Sequence, residues 1–187
     1  TRFPISPVAL VTLLLAACST PGPGPEVATP EQTSPMDVHS HASASPARIE
    51  HLDLDLQVDM TERRLLGTAS YRIRPHGADT IILDTDELEI DKVTVNGKEV
   101  PVLLGDRSIL GRALRIPIDS NSTTIAVTYR TTEGARALQW LSPQQTADRT
   151  HPFLFTQGQA ILTRTWIPVQ DSPGIRITYT ATVKVPK

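Results

Sequence analysis

Cysteine occurs once, at Cys18, in a chain of 187 residues, so no intrachain disulfide can staple the fold. None is required. The stretch after residue 46 holds roughly 140 residues, a size at which one core buries about two-thirds of the unfolded surface. Helical periodicity is missing too: no segment sustains the 3.6-residue spacing of apolar side chains that an amphipathic helix needs. Charge is nearly balanced, with 18 Lys and Arg against 20 Asp and Glu for a formal net charge of −2. That leaves no basic field for a phosphate backbone and excludes DNA and RNA as partners. Of the five histidines (His39, His41, His51, His76 and His151), none opens an H-E-x-x-H sequence. That arrangement sets two imidazoles on one helix face with a carboxylate base between them. No catalytic residue and no metal ligand is therefore assigned within this chain.

A membrane-spanning apolar run is absent as well. Val8 to Ala17 is apolar apart from Thr12 and is preceded by Arg2, but it is shorter than the roughly 20 residues that cross about 30 Å of hydrocarbon. A charged start followed by a short apolar stretch marks residues 1–17 as a signal peptide. The run ends Leu15-Ala16-Ala17-Cys18, which resembles the bacterial lipobox, where small residues fit the signal peptidase and the cysteine thiol takes up diacylglycerol. That resemblance implies lipid on Cys18 and a protein held on a membrane of the bacterial cell envelope, facing the periplasm or the exterior. Ser19 in place of Asp resembles the outer-membrane sorting pattern of enteric bacteria. A lone exported thiol without such a role is a liability. From Ser19 to Pro46 small and polar residues dominate, and residues 18–46 read as the lipidated cysteine followed by a disordered tether. Within it, His39-Ser40-His41 offers two imidazoles without a third ligand or a rigid scaffold and is assigned no role.

What the body does contain is period-two alternation. Leu52, Leu54, Leu56 and Val58 alternate with Asp53, Asp55, Gln57 and Asp59, the pattern of a strand with one face inward and one in water. Similar alternation recurs over Gly67 to Ile73, in Ile125, Val127 and Tyr129, and from Ile175 through Ile177, Tyr179, Ala181 and Val183 to Val185. Asn96-Gly97 stands between Val93-Thr94-Val95 and Lys98 to Val102 and predicts a hairpin with a type I′ turn. Strands at roughly ten-residue spacing indicate an all-β fold, sheet or sandwich in type, over residues 47–187. Asn121-Ser122-Thr123 matches a glycosylation acceptor but reads as a plain polar turn between strands. Asp84 to Asp91 lacks the D-x-[DN]-x-[DN]-G spacing of a calcium loop and reads as a solvated turn.

Such an architecture does not identify a function by itself; the last fifty residues are more specific. They contain Ala137-Leu138-Gln139-Trp140-Leu141, His151-Pro152, Gln157-Gly158-Gln159-Ala160, Arg164, Gln170-Asp171-Ser172-Pro173 and Tyr179-Thr180-Ala181-Thr182-Val183. In this order they resemble the amino-terminal domain of the aminopeptidase N and leukotriene-A(4) hydrolase superfamily of zinc aminopeptidases, and its hydrolase branch more closely. The resemblance implies a saddle-like all-β domain that forms part of a peptide cleft, while zinc, its two His and one Glu ligands and a Glu general base belong to a downstream catalytic domain. Fragment and zinc are thus expected to be separate, with no turnover by this chain alone. The opening Thr1 and the stop at Lys187, directly after an alternating stretch, give the same expectation of a piece of a longer protein.

On residue logic alone, Gln157 and Gln159 would share one face of a strand, with Gly158 between them leaving room for another backbone; they read equally as surface glutamines. The resemblance implies substrate binding by Gln157, Gly158 and Gln159. In it, Gln159 helps to hold the free amino terminus beside a Glu of the catalytic domain's G-x-M-E-N motif. Arg164 and Asp171 read as structural, forming an ion pair or capping backbone amides, and Trp140 and Trp166 as core or domain-interface aromatics. The chain departs from its better-known relatives at Gly158 and Val169, where they have Cys, so no thiol chemistry carries over. The implied partners are peptide substrates, the downstream domain and, through Cys18, a membrane. Two other classes stay open: a non-catalytic surface β-sandwich binding module, and a pseudoenzyme.

Overall fold

A computed structural model describes residues 37–186; the signal peptide, Cys18 and most of the tether lie outside the described residues. Eleven strands follow one another: β1 (Arg48–Asp59), β2 (Arg64–Arg74), β3 (Thr80–Thr85), β4 (Leu88–Val95), β5 (Lys98–Val100) and β6 (Leu103–Leu104). After them come β7 (Arg112–Pro117), β8 (Thr124–Thr131), β9 (Leu138–Leu141), β10 (Phe153–Thr156) and β11 (Thr178–Lys184). Helix among the described residues is limited to single 3-10 turns at His41–Ala44, Pro143–Gln145 and Thr163–Thr165, in keeping with the all-β expectation. Six strands form one sheet in the order β11-β1-β2-β8-β4-β5, three form a second in the order β3-β7-β6, and β9 with β10 makes a separate ribbon.

The inward faces follow the alternation. Leu52, Leu54, Leu56 and Val58 of β1 meet Leu65, Ala69, Tyr71 and Ile73 of β2, Ile125, Val127 and Tyr129 of β8, and Val93 and Val95 of β4. Ile81, Leu83, Leu114 and Ile116 of the second sheet close on them, giving one continuous core between two layers, the arrangement of a sandwich. A bulge between Ile49 and His51 explains why the regular pattern starts only at Leu52. The extra residue shifts the phase, so Ile49 and Leu52 are both buried.

Asn96 and Gly97 have φ of 48° and 77°, both positive, as the type I′ turn requires. The Asn96 side chain also ties this hairpin to its neighbour: Oδ1 accepts from the N–H groups of Thr123 (3.0 Å) and Thr124 (3.1 Å), and Nδ2 donates to the Asn121 carbonyl at 3.0 Å. Asn121-Ser122-Thr123 is a turn closed on Asp119, whose Oδ1 accepts from the Asn121 N–H and the Ser122 hydroxyl.

Two features differ from the sequence reading. β11 forms where alternation places it, pairing in parallel with β1, yet all its residues are exposed. It is an edge strand, and nothing among the described residues covers Tyr179, Val183 and the adjoining Val185. The packed body also starts before residue 47. Asp37–Pro46 belongs to it, with Ala42 fully buried, Ser40 and Ser45 nearly so, and the Ser45 hydroxyl donating to the Thr80 carbonyl at 2.6 Å. Composition assigns these residues to a tether because their side chains are small and polar; tertiary hydrogen bonds, which composition does not register, order them.

Candidate functional site

The β9–β10 ribbon pairs Leu141 with Phe153, Trp140 with Leu154, Gln139 with Phe155 and Leu138 with Thr156. Trp140 and Leu154 pack from the ribbon onto the main core, which fixes the ribbon against the sandwich. Its connecting loop is held by its own side chains. The Ser142 N–H donates to Gln145 Oε1 at 3.0 Å, and Asp148 takes the Thr150 N–H at 3.0 Å and the His151 ring at 2.9 Å. His151, followed by the Thr150 N–H, holds the Asp148 carboxyl well below the usual range. The histidine of His151-Pro152 thus fastens a loop.

Gln157 adds one rung to the ribbon by donating its N–H to the Ala137 carbonyl at 2.9 Å. There the chain leaves the strand, which ends at Thr156. The two glutamines therefore do not share a strand face, because the residues after Thr156 turn back on themselves. Gln157 Oε1 accepts the Gln159 N–H at 3.0 Å, and the Gly158 carbonyl accepts the Leu162 N–H at 2.8 Å. Their side chains become unequal: the Gln157 carbonyl is occupied, whereas the exposed Gln159 amide makes no hydrogen bond among the described residues. Gly158 leaves room for a side chain rather than a backbone, since a Cβ there would lie 2.6 Å from Thr163 Oγ1.

Beyond the turn, Thr163–Thr165 anchors its far end. Thr165 Oγ1 donates to the Leu162 carbonyl at 2.7 Å and accepts the Ala137 N–H at 3.1 Å. Arg164, only 1% exposed, donates from Nε to Asp171 Oδ2 at 3.1 Å and from Nη1 to the Leu110 carbonyl at 3.1 Å. Its Nη2 reaches the carbonyls of His39 at 2.8 Å and Asp171 at 3.1 Å. This is the structural pair expected of Arg164 and Asp171, but a second carboxylate joins it: Asp84 Oδ1 lies 3.6 Å from Arg164 Nη1. Asp84 is wholly buried and accepts from the Ser40 hydroxyl (2.5 Å), the His41 N–H (2.7 Å) and the Asp171 N–H (3.0 Å).

The reading of Asp84 to Asp91 as a solvated turn is thus wrong at its start, where Asp84, Thr85 and Asp86 are all buried. The missed signal is Ile81-Ile82-Leu83, an unbroken apolar run, which marks a strand covered on both faces. The residue that continues such a strand is buried whatever its chemistry.

The segment after Arg164 is stitched down in turn. The Trp166 and Pro168 carbonyls accept the phenol hydroxyls of Tyr129 and Tyr71, and burial pushes both phenols above their ordinary range. Val169 exchanges two backbone hydrogen bonds with Asp84 (2.8 and 3.2 Å), and the Gln170 amide bonds to the Ala47 carbonyl and the Ile49 N–H, both at 2.9 Å. Trp166 joins Trp140 at the margin of the core, with its indole N–H unpartnered among the described residues. Among those residues no three His, Cys, Asp or Glu side chains assemble as a metal-ligand set, so the groups present do not fit a zinc ion.

Residues 48–187 match the family model for the peptidase M1 N-terminal domain. The chain belongs to this family. It is 38% identical to the leukotriene A-4 hydrolase of Xenopus laevis over 159 residues, covering 81% of this chain and 26% of that protein. It is 36% identical to leucine aminopeptidase 2 of Yarrowia lipolytica over 129 residues, covering 66% of this chain and 20% of that one. Among solved structures it resembles yeast LTA4 hydrolase in complex with bestatin, with a TM-score of 0.78, 27% identity and coverage of 84% of this chain and 26% of that one. The M1 zinc metallopeptidase of Deinococcus radiodurans shares the fold, at a TM-score of 0.56 and 18% identity over 76% of this chain and 33% of that one. The chain thus spans about a quarter of the length of the frog and yeast proteins. The M1 domain occupies three-quarters of the chain, less than the shares matched by those two, so both likenesses take in residues ahead of Arg48.

Proposed function

We propose that this M1 N-terminal domain forms one wall of the substrate cleft of a zinc aminopeptidase, with Gln159 receiving the free amino terminus of a peptide. One observation carries the reading: the Gln159 amide is exposed and without a partner among the described residues, on a turn anchored by Ala137 at one end and by the buried Arg164 cluster at the other. The amide carbonyl accepts from an α-ammonium, and the Gln157 Nε2 group and Gly158 N–H remain as donors for a substrate main chain. A neutral amide holds an ammonium less tightly than a carboxylate does, so selectivity for the amine also relies on a Glu of the downstream domain. The names of the relatives, a leukotriene A-4 hydrolase and a leucine aminopeptidase, support a hydrolase that acts at peptide amino termini.

In the full-length enzyme, residues beyond this chain would hold a zinc ion that would activate water; the role of this chain is to bind and orient the substrate. Leu15-Ala16-Ala17-Cys18 supports a lipid anchor on Cys18 and a place in the bacterial cell envelope. The cleft reading is tested with Gln159→Ala in the full-length protein. A hydrogen bond to a charged group is worth about 1.5–3 kcal/mol, so kcat/KM for an aminoacyl-arylamide falls roughly ten- to a hundredfold, and Gln157→Ala has a smaller effect. A folded Gln159→Ala enzyme with the wild-type rate overturns the reading.

A further inference from the structure

We propose that Asp37–Pro46 is a strap whose Ser40 positions the Gln159 turn through Asp84 and Arg164, which makes Ser40, Asp84 and Arg164 positioning residues of the cleft. The proposal rests on the cleft reading above. Three consecutive strap residues engage both members of the buried ion pair: the Ser40 hydroxyl and the His41 N–H donate to Asp84, and the His39 carbonyl accepts from Arg164. Asp37 braces the start of the strap from within, its Oδ1 accepting the His39 N–H at 2.9 Å. The strap therefore joins β3 to Arg164 and, among the described residues, makes no hydrogen bond to the glutamine turn.

Its influence on that turn follows from connectivity. Asp84 is fully buried, and among the described residues its carboxylate takes three hydrogen bonds, two of them from the strap. A buried carboxylate deprived of a donor draws in the nearest remaining one, and Arg164 Nη1 stands 3.6 Å away, outside good hydrogen-bond distance. Arg164 lies between Thr163, which closes against Gly158, and Thr165, which holds Leu162 and Ala137. Movement of Arg164 toward Asp84 consequently shifts both ends of the turn that carries Gln159. The strap precedes the M1 domain match at residue 48, yet the likenesses to the frog and yeast hydrolases reach into residues ahead of Arg48.

The test uses the full-length protein with Ser40→Ala and Ser40→Thr, each with Gln159 intact and with Gln159→Ala. With Gln159 intact, Ser40→Ala lowers kcat/KM for an aminoacyl-arylamide about tenfold, the low end for a hydrogen bond to a charged group, and Ser40→Thr restores it. In the Gln159→Ala background the Ser40→Ala loss disappears, because the residue through which it acts is gone. Amide hydrogen exchange over residues 157–163 quickens by a similar factor. An equal loss in both backgrounds, a wild-type rate for Ser40→Ala, or unchanged exchange in that segment overturns the proposal. If Ser40→Ala does not fold, Ser40→Cys supplies a weaker donor; partial loss supports the strap, and a wild-type rate refutes it. If Gln159→Ala alone has the wild-type rate, the cleft reading fails, while faster exchange over 157–163 in Ser40→Ala still supports the strap.

Discussion

Replacing Arg164 by Met preserves the length of the side chain and much of its packing while removing the guanidinium. The carbonyls of His39, Leu110 and Asp171 then lose a donor, and the Asp171 carboxylate keeps only the backbone N–H of residue 164. Asp84 retains its three donors, so the main electrostatic loss is the cation shared by the buried Asp84 and the partly buried Asp171. Breaking a buried pair by deleting one partner costs about 3–5 kcal/mol, a large part of the roughly 5–15 kcal/mol that holds a domain folded. Urea unfolding of residues 37–187, followed by the fluorescence of the two tryptophans, Trp140 and Trp166, measures it. At a slope of about 2 kcal/mol per molar urea, the midpoint falls by about 2 M with the slope unchanged. Arg164→Lys keeps the charge but not the planar fork that reaches four acceptors at once, so it falls between wild type and Met. A loss below about 1 kcal/mol for Met, or wild-type stability for Lys, refutes the account of Arg164 as the anchor of this region.

Burial raises the phenols of Tyr71 and Tyr129. Their contribution to stability is complete below the unfolded tyrosine value of about 10 and is lost as pH rises through the folded values. In an ultraviolet titration of residues 37–187, these two of the three tyrosines ionise only as the body unfolds in alkali; early ionisation of all three contradicts their burial. Asn96→Ala removes five hydrogen bonds and places alanine at φ 48°, so it lowers stability in urea by about 1–3 kcal/mol, and a change under ~0.5 kcal/mol contradicts the tie between the hairpin and β8. Metabolic labelling with a fatty-acid analogue marks Cys18, and Cys18→Ala abolishes the label and releases the protein from the membrane; an unlabelled wild type sinks the anchor.

The strands of the main sheet were legible because one face meets the core and the other water, and period two records that contrast directly in Leu52 to Val58. The Asn96-Gly97 turn was legible because its positive φ angles restrict residue choice locally. Elsewhere, position in the assembled fold outweighs local character. β11 alternates as regularly as β1, yet its apolar side chains are exposed because it lies at a sheet edge, a matter of strand order that no local pattern encodes. Ser40 and His41 resemble linker residues until Asp84, more than forty positions away, is placed beside them. Asp84 itself carries the composition of a surface residue in the context of a buried strand. For the candidate site, the pairing of Arg164 with Asp171 followed from the motif, whereas the turn after Thr156 did not: Gln157 folding over the Gln159 N–H is a side-chain-to-backbone closure that strand periodicity cannot reveal.

The most direct test of the central claim is a crystal structure of the full-length protein with a peptide in its cleft, trapped by an inactivating change in the downstream catalytic domain. The Gln159 amide oxygen is expected at about 2.7–3.2 Å from the peptide's α-ammonium nitrogen, with the turn held by Ala137, Thr165 and Arg164 as in the isolated domain. A peptide whose amino terminus is bound only by other residues, with Gln159 turned to solvent, contradicts it.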